Sequence, residues 1–313
     1  IVYSAFQWKT PTSRQIFVVR AKDWLVFIIL GTLWGSSFLW IKIAIQEISP
    51  LLLVTLRLSF AIITLTIAAI IARPLWPQGK RLWLALVLFG LINTAIPYFL
   101  ISWGEQYIDS AVAAILNSST PLFTMVIAHI FLDDDRITLP RLTGLLIGFI
   151  GIVIIVSRDL GQNETGSQYT TLLLLGQAAV LLASLLYAVS AVFAKRNLKG
   201  LSPVVQGLVP IVGASTFLWL LVPIVEDPLS LPELPITWIA IAWLGLLGTG
   251  FAFILYFYLI QSVGPTRTTL VTYIFPLVGL VLGVIVLGEK LDLRLAVGAA
   301  LIIISVAVVN QSR

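Results

Sequence analysis

Apolar residues run almost unbroken through most of this chain, and the polar residues collect in short clusters between the runs. Strong one-sided periodicity is absent from most runs, as expected of helices that are apolar on nearly every face. About 20 such residues suffice to cross a bilayer. Reading from break to break predicts ten helices: Trp24–Ile45, Leu51–Ala72, Leu82–Trp103, Ala111–Leu132, Leu139–Val156, Thr170–Ala194, Pro203–Ile224, Ile236–Ile260, Thr266–Leu287 and Leu293–Val309. The expected fold is an all-α integral membrane protein.

Composition supports that solvent. Of 313 residues, 59% are hydrophobic and 11% charged, with mean hydropathy +1.05, whereas soluble domains carry about 25% charged residues. The absence of cysteine removes disulfides, thiolate metal sites and cysteine nucleophiles. A single histidine, His129, rules out a bis-histidine haem, and no cofactor or metal is expected. The net charge of +5 sorts by loop. With the N-terminus inside, Lys9, Arg14, Arg20, Lys22, Arg73, Lys80, Arg81, Arg136, Arg141, Lys195, Arg196, Lys199, Arg267 and Arg313 fall on the cytoplasmic side. Lys42, Arg158, Lys290 and Arg294 fall opposite, and Arg57 lies within a span. This bias predicts cytoplasmic termini in an inner (plasma) membrane. It argues against nucleic acid as a partner, because the basic residues trace one membrane face in separate loops.

The chain is also written twice. An offset of 153 superposes Trp34 on Tyr187, Lys42 on Lys195 and Pro50 on Pro203; an offset of 155 superposes Gly90 on Gly245, Thr94 on Thr249 and Pro121 on Pro276. The expected organisation is a cytoplasmic tail at 1–23, a first repeat at 24–157, an extracytoplasmic linker at 158–169, and a second repeat with a short tail at 170–313. Five spans per copy is odd, so the second copy enters the membrane inverted. Inverted pairs exchange conformations between halves and give alternating access to a central site.

Three motifs carry a family resemblance. "WGEQYIDSAVAAILNSSTPLFTMVIAHIFLDDDRIT" resembles the fourth-span signature of EamA-type carriers in the drug/metabolite transporter superfamily, with its alanine-rich helix, mid-helix "P-L" and acidic box. "TYIFPLVGLVLGVIVLGEKLD" resembles the same element in the second copy, and "LWGSSFLWIK" is similar to the family's first-span motif. Asp135 stands where the first box usually has glutamate. The resemblance covers about residues 24–310 and implies ten helices in two inverted five-helix halves. It implies a central cavity, with the last helix of each half at the flank.

Arg57 lies about 10 Å in from Pro50 by helical rise. Three readings stay open: it snorkels to the interface or caps carbonyls, it pairs with Glu105 in an outer gate, or it binds a substrate carboxylate. Position 210 of the second copy is Pro210, so the charge is not duplicated. Pro121 and Pro276 are expected hinges, since each frees a carbonyl one turn back. Expected cavity residues are Trp34, Trp40, Asn93, Tyr98, Asn117, Ser118, Tyr187, Tyr256 and Tyr273. Trp24, Trp83, Trp103 and Trp238 are read as interfacial anchors. Asp133, Asp134 and Asp135 should cap the fifth span, Glu289 the tenth and Asp23 the first, with His129 an interfacial polar residue.

The resulting expectation is a secondary transporter that exports small metabolites; the resemblance implies amino acids or amphipathic, drug-like compounds. A passive facilitator or exchanger on the same fold is the alternative. No acid sits mid-span, so proton coupling stays open, with Glu105 and Asp109 at the outer boundary as proton candidates. The partners are a small-molecule substrate and the bilayer. A serine–histidine enzyme is disfavoured, because no G-x-S-x-G elbow accompanies His129.

Overall fold

Ser49 and Pro50 open the second long helix of this protein in the way a helix start requires: the Ser49 hydroxyl accepts from Leu52 N at 3.0 Å, and proline occupies the first turn. In the computed structural model, which describes residues 21–131, 137–157, 167–198, 200–226, 229–263, 268, 271–272 and 274–311, all regular structure is helical. The helices are α1 (Ala21–Gly35), α2 (Ser37–Ala44), α3 (Pro50–Ala72), α4 (Lys80–Gly90), α5 (Ile96–Gly104), α6 (Ser110–Asn117) and α7 (Thr120–Phe131). They continue as α8 (Leu139–Ser157), α9 (Ser167–Asn197), α10 (Pro203–Val225), α11 (Pro235–Ala242), α12 (Ala252–Val263), α13 (Ile274–Leu287) and α14 (Leu293–Gln311).

Among the described residues, seven helical segments are long and apolar enough to cross a membrane, and apolar segments 142–157, 274–287 and 293–305 are shorter. The protein is thus an all-helical, multi-span membrane protein. Its outer surface agrees: Leu25, Ile67, Ile70, Ile150 and Ile285 are all more than half exposed. Such a surface has lipid as its natural solvent. Trp24, Trp83 and Trp238 are also exposed, in keeping with anchors.

Several spans are interrupted, each for a local reason. Between α6 and α7, Pro121 cannot donate to the Asn117 carbonyl, and the Thr120 hydroxyl does so instead at 2.7 Å. Between α4 and α5 the chain widens into a π-helical segment, Leu91–Ala95, shortly before Pro97. A second π-helical segment, Trp243–Phe251, joins α11 to α12 at the corresponding place in the second half. There the Thr249 hydroxyl donates to Leu244 O at 2.9 Å. Such widened turns expose carbonyls and redirect side chains, and they recur at functional sites.

The core centres on α3 and α6, where Leu52, Leu53, Leu58, Ala113, Ile115 and Leu116 are essentially fully buried. Helices α8 and α14 form the most extensive pairing in the fold. A Cβ on Gly151 would lie 2.9 Å from Gly298 O, and one on Gly298 would lie 3.0 Å from Gly151 O. Backbones crossing this closely need glycine on both sides. Neither helix lines the central space, so the pair forms a flank, and the remaining elements position the site.

Candidate functional site

At the centre lies a cavity of about 410 Å³, a size that suits a small organic molecule. Its lining reaches from Arg57 on α3 and Ile101 on α5 to Ala194 on α9 and Gln206 on α10. Gln206 follows the start of its helix by three residues, so the cavity comes within about 5 Å of that end of the bundle. At the other end the lining includes Ile41 on α2 and Ile101 on α5, each three residues from the end of its helix, so the cavity comes about as close to that end. The two ends are here called the Asp23 end and the Glu105 end.

Trp34 anchors the aromatic wall. Its Nε1 donates to Gly248 O at 3.1 Å, and its ring lies 5.5 Å from Tyr256 and 5.8 Å from Phe275, the latter edge-on. Tyr187 and Phe253 also line the space. The amide walls are held from α9. Ser190 Oγ donates to Asn93 Oδ1 at 2.7 Å, and Ser184 Oγ donates to Asn117 Oδ1 at 3.2 Å.

Arg57 is 4% exposed and lines the cavity. Its Nε donates to Thr249 Oγ1 at 2.9 Å, across from the second π segment, and its Cζ sits 3.9 Å above the Tyr98 ring. Two earlier expectations are thereby corrected. The guanidinium does not snorkel, and it makes no ion pair with Glu105 among the described residues. The reason is direction: α3 turns Arg57 toward the bundle axis, where Gly245 lets the π segment pack against the Arg57 backbone.

The Glu105 end is closed by polar contacts. Lys42 Nζ donates to the carbonyls of Glu105 and Ile108, at 2.5 and 2.8 Å. Glu289 accepts from Ser110 N and Ala111 N, at 2.7 and 2.9 Å, which places a carboxylate on the N-terminus of α6. The chain reaches that point because Gly288 has φ +69, and Gly283 leaves room for the carboxylate. Ser49 donates to Glu226, and Glu47 accepts from the backbone N–H groups of Glu233 and Leu234. Glu105 itself, just beyond α5, is fully buried, and neither carboxyl oxygen has a hydrogen-bond partner among the described residues. Burial pushes its carboxyl well above the usual carboxylate range; Lys42 opposes the rise, Glu289 adds to it and Arg57 opposes it.

At the opposite end, Asp23 is buried and accepts from Tyr258 Oη at 2.9 Å and Ser262 Oγ at 2.6 Å, so it ties α1 to α12. It does not serve simply as a cap of its own helix. Glu289 likewise caps α6, while Asp292 Oδ1 accepts from Leu295 N at 2.8 Å and caps α14. His129 Nδ1 accepts from Ile137 N at the end of α7. Asp133, Asp134, Asp135 and Tyr273 lie outside the described residues.

Of the expected cavity residues, Trp34, Asn93, Tyr98, Asn117, Tyr187 and Tyr256 come together around one space. Trp40 and Ser118 do not join them. Trp40 packs at a tilt against Trp243, with ring centroids 5.5 Å apart, and the Ser118 hydroxyl turns back to Ala114 O at 2.8 Å. Pro121 opens α7 and Pro276 opens α13, so both stand beside helix breaks. Sequence reasoning missed Thr249, Ser190, Gln206 and Phe275 as lining or supporting groups. A signal for Thr249 existed, since it repeats Thr94 in a glycine-rich stretch. No group of three His or acidic side chains able to hold a metal occurs among the described residues.

Comparison with known proteins places this geometry. The profile of the EamA-like transporter family matches twice, over residues 22–157 and 174–311. An uncharacterized transporter of Archaeoglobus fulgidus is 28% identical, with 93% of this chain and 100% of that protein aligned. The uncharacterized inner membrane transporter YedA of Escherichia coli is 28% identical over 84% of this chain and 82% of its own length. A solved crystal structure superposes with TM-score 0.66 at 21% identity, covering 93% of this chain and 96% of that one, which is a likeness of fold.

Proposed function

We propose, from the premise that this chain belongs to the EamA-like transporter family, that it is a secondary transporter exporting small amphipathic metabolites across the inner membrane by alternating access. The observation that carries this reading is the central cavity, which helices of both matched repeats line. Polar contacts bridge the helices at both of its ends, through Lys42, Glu289 and Glu226 at one and through Asp23, Tyr258 and Ser262 at the other. A site enclosed between two inverted repeats is where alternating access places a substrate.

In this reading, seven long and three shorter apolar segments all span the bilayer as two inverted five-helix repeats. Domain limits are 24–157 and 170–313, flanked by the tail at 1–23 and the linker at 158–169. The termini and the Asp23 end are cytoplasmic by the loop-charge bias. The helix breaks at Pro121 and Pro276 and the two π segments are the hinges, because these are the places where backbone bonds are already released. Arg57, Trp34, Asn93, Asn117, Tyr187 and Tyr256 hold the substrate.

The test is counterflow in proteoliposomes with a panel of small organic metabolites, with and without a pH gradient. Saturable, substrate-selective exchange is expected. Accumulation that follows the gradient selects a proton-coupled carrier, and equilibration without it selects a facilitator or exchanger. Absence of selective flux across the panel contradicts both.

A further inference from the structure

We infer that Arg57 is an anion receptor. The cavity takes organic acids, with a carboxylate on the guanidinium and an apolar or aromatic body against Trp34, Tyr256 and Phe275, and it rejects organic cations. This deepens the transporter reading by naming the substrate class of the same site.

The first ground is an uncompensated charge. Arg57 is buried, no acid lines the cavity with it, and its sole hydrogen bond among the described residues goes to the neutral Thr249 hydroxyl. A buried cation without a counter-ion is destabilising, and leucine would fill α3 without that penalty. Glu105, whose field reaches Arg57, forms no ion pair with it and has its own oxygens without hydrogen bonds.

The second ground is how the guanidinium is presented. Tyr98 covers one face and Thr249 occupies Nε. What remains is the pair of Nη groups, the fork that a carboxylate meets end-on through two parallel hydrogen bonds.

The third ground is independent of Arg57. Asn93 and Asn117 both have Oδ1 engaged by serines of α9. Their Nδ2 groups have no partner among the described residues, and both residues line the cavity. With a serine beside each Oδ1, the unpaired Nδ2 groups add free donors to those of the guanidinium. Free donors clustered in a lining that has no acid favour an acceptor-rich ligand. An organic cation would meet Arg57 with no neutralising group on the wall, and like charges repel at such close range.

The probe set is 3-phenylpropionate, its neutral amide and 3-phenylpropylamine, three molecules of nearly one shape. Binding is measured by calorimetry on the purified full chain in detergent at neutral pH. Wild type is expected to bind the acid at least about tenfold more tightly than the amide, since hydrogen bonds to a charged group exceed neutral ones by that order. The amine should not bind. Arg57→Gln should abolish the preference for the acid while melting at the same or a higher temperature, because it removes a buried unpaired charge. Arg57→Lys should keep a reduced preference, since the charge stays and the fork is lost.

Four results overturn the inference: a wild type that binds none of the three, an amide bound as well as the acid, a preferred amine, or unchanged acid binding in Arg57→Gln. If Arg57→Gln fails to fold, full wild-type discrimination in Arg57→Lys assigns Arg57 a structural role and also overturns it. Acid binding without any counterflow would leave the receptor standing and sink the transporter reading. Counterflow of the amide or amine without preference for the acid would do the reverse.

Discussion

Gly90→Val is expected to leave little folded protein. Gly90 ends α4 where the chain widens into the first π segment, and it faces the backbone of Pro210 on α10. A Cβ there would lie 2.8 Å from the Pro210 carbonyl carbon and 2.9 Å from its Cα, with the carbonyl oxygen closer still. These are backbone atoms, so no side-chain rotation relieves the clash. Pro210 already interrupts the hydrogen-bond ladder of α10. The helices must separate, with a loss of about 3 kcal/mol. Separating them also disturbs Asn93 three residues on. Gly248→Ala is the matched control: its nearest neighbour, Ser37 Oγ, is 3.3 Å away and able to rotate. Melting temperature and the monodisperse fraction in detergent compare the two. Equal stability of the variants would contradict the packing described for α4 and α10.

Glu105→Gln is expected to flatten the pH dependence of exchange. The carboxyl is sealed at the closed end, raised by burial and further by Glu289, and lowered by Lys42 and Arg57. The sign follows from linkage. A raised acid binds its proton more tightly in this conformation than when hydrated, so falling pH favours the conformation with the Glu105 end closed. As pH rises from the ordinary value of 4.5 through the raised value, the preference moves toward a conformation in which the carboxyl meets water. Each unit between the two values changes the ratio tenfold. Glutamine keeps the shape of the neutral acid and cannot ionise. A steep wild-type profile beside a flat Glu105→Gln profile is the expected pair. Matching profiles would remove Glu105 from the cycle.

Much of the site was legible because a membrane narrows the choices for a polar residue. Arg57, Asn93 and Asn117 stand out in apolar runs, and at mid-bilayer depth a polar side chain must find protein or water. Trp34 and Tyr187 were marked by the repeat, and both line the cavity. The break at Pro121 followed from its missing N–H. What stayed hidden depends on contacts far apart in sequence. Glu289 reads as a cap for the helix that follows it, yet it bonds Ser110 and Ala111, 179 and 178 residues away. Arg57 could have turned three ways, and only the crossing of α3 with the second π segment fixes one. Trp40 has the depth of a cavity residue but faces Trp243, since a 100° step per residue puts it on another side of the helix from Ile41. The π segments left no pattern of their own beyond Pro97 and the glycines of 245–250.

The chain contains no cysteine, so a single introduced thiol is unambiguous. Ile41→Cys places one in the cavity wall, and its modification by a membrane-impermeant reagent can be followed from each face of oriented vesicles. Reaction from both faces, with ligand shifting the balance between them, is the expected result. Reaction from one face alone, under every ligand and pH condition, would contradict a site that opens to each side in turn.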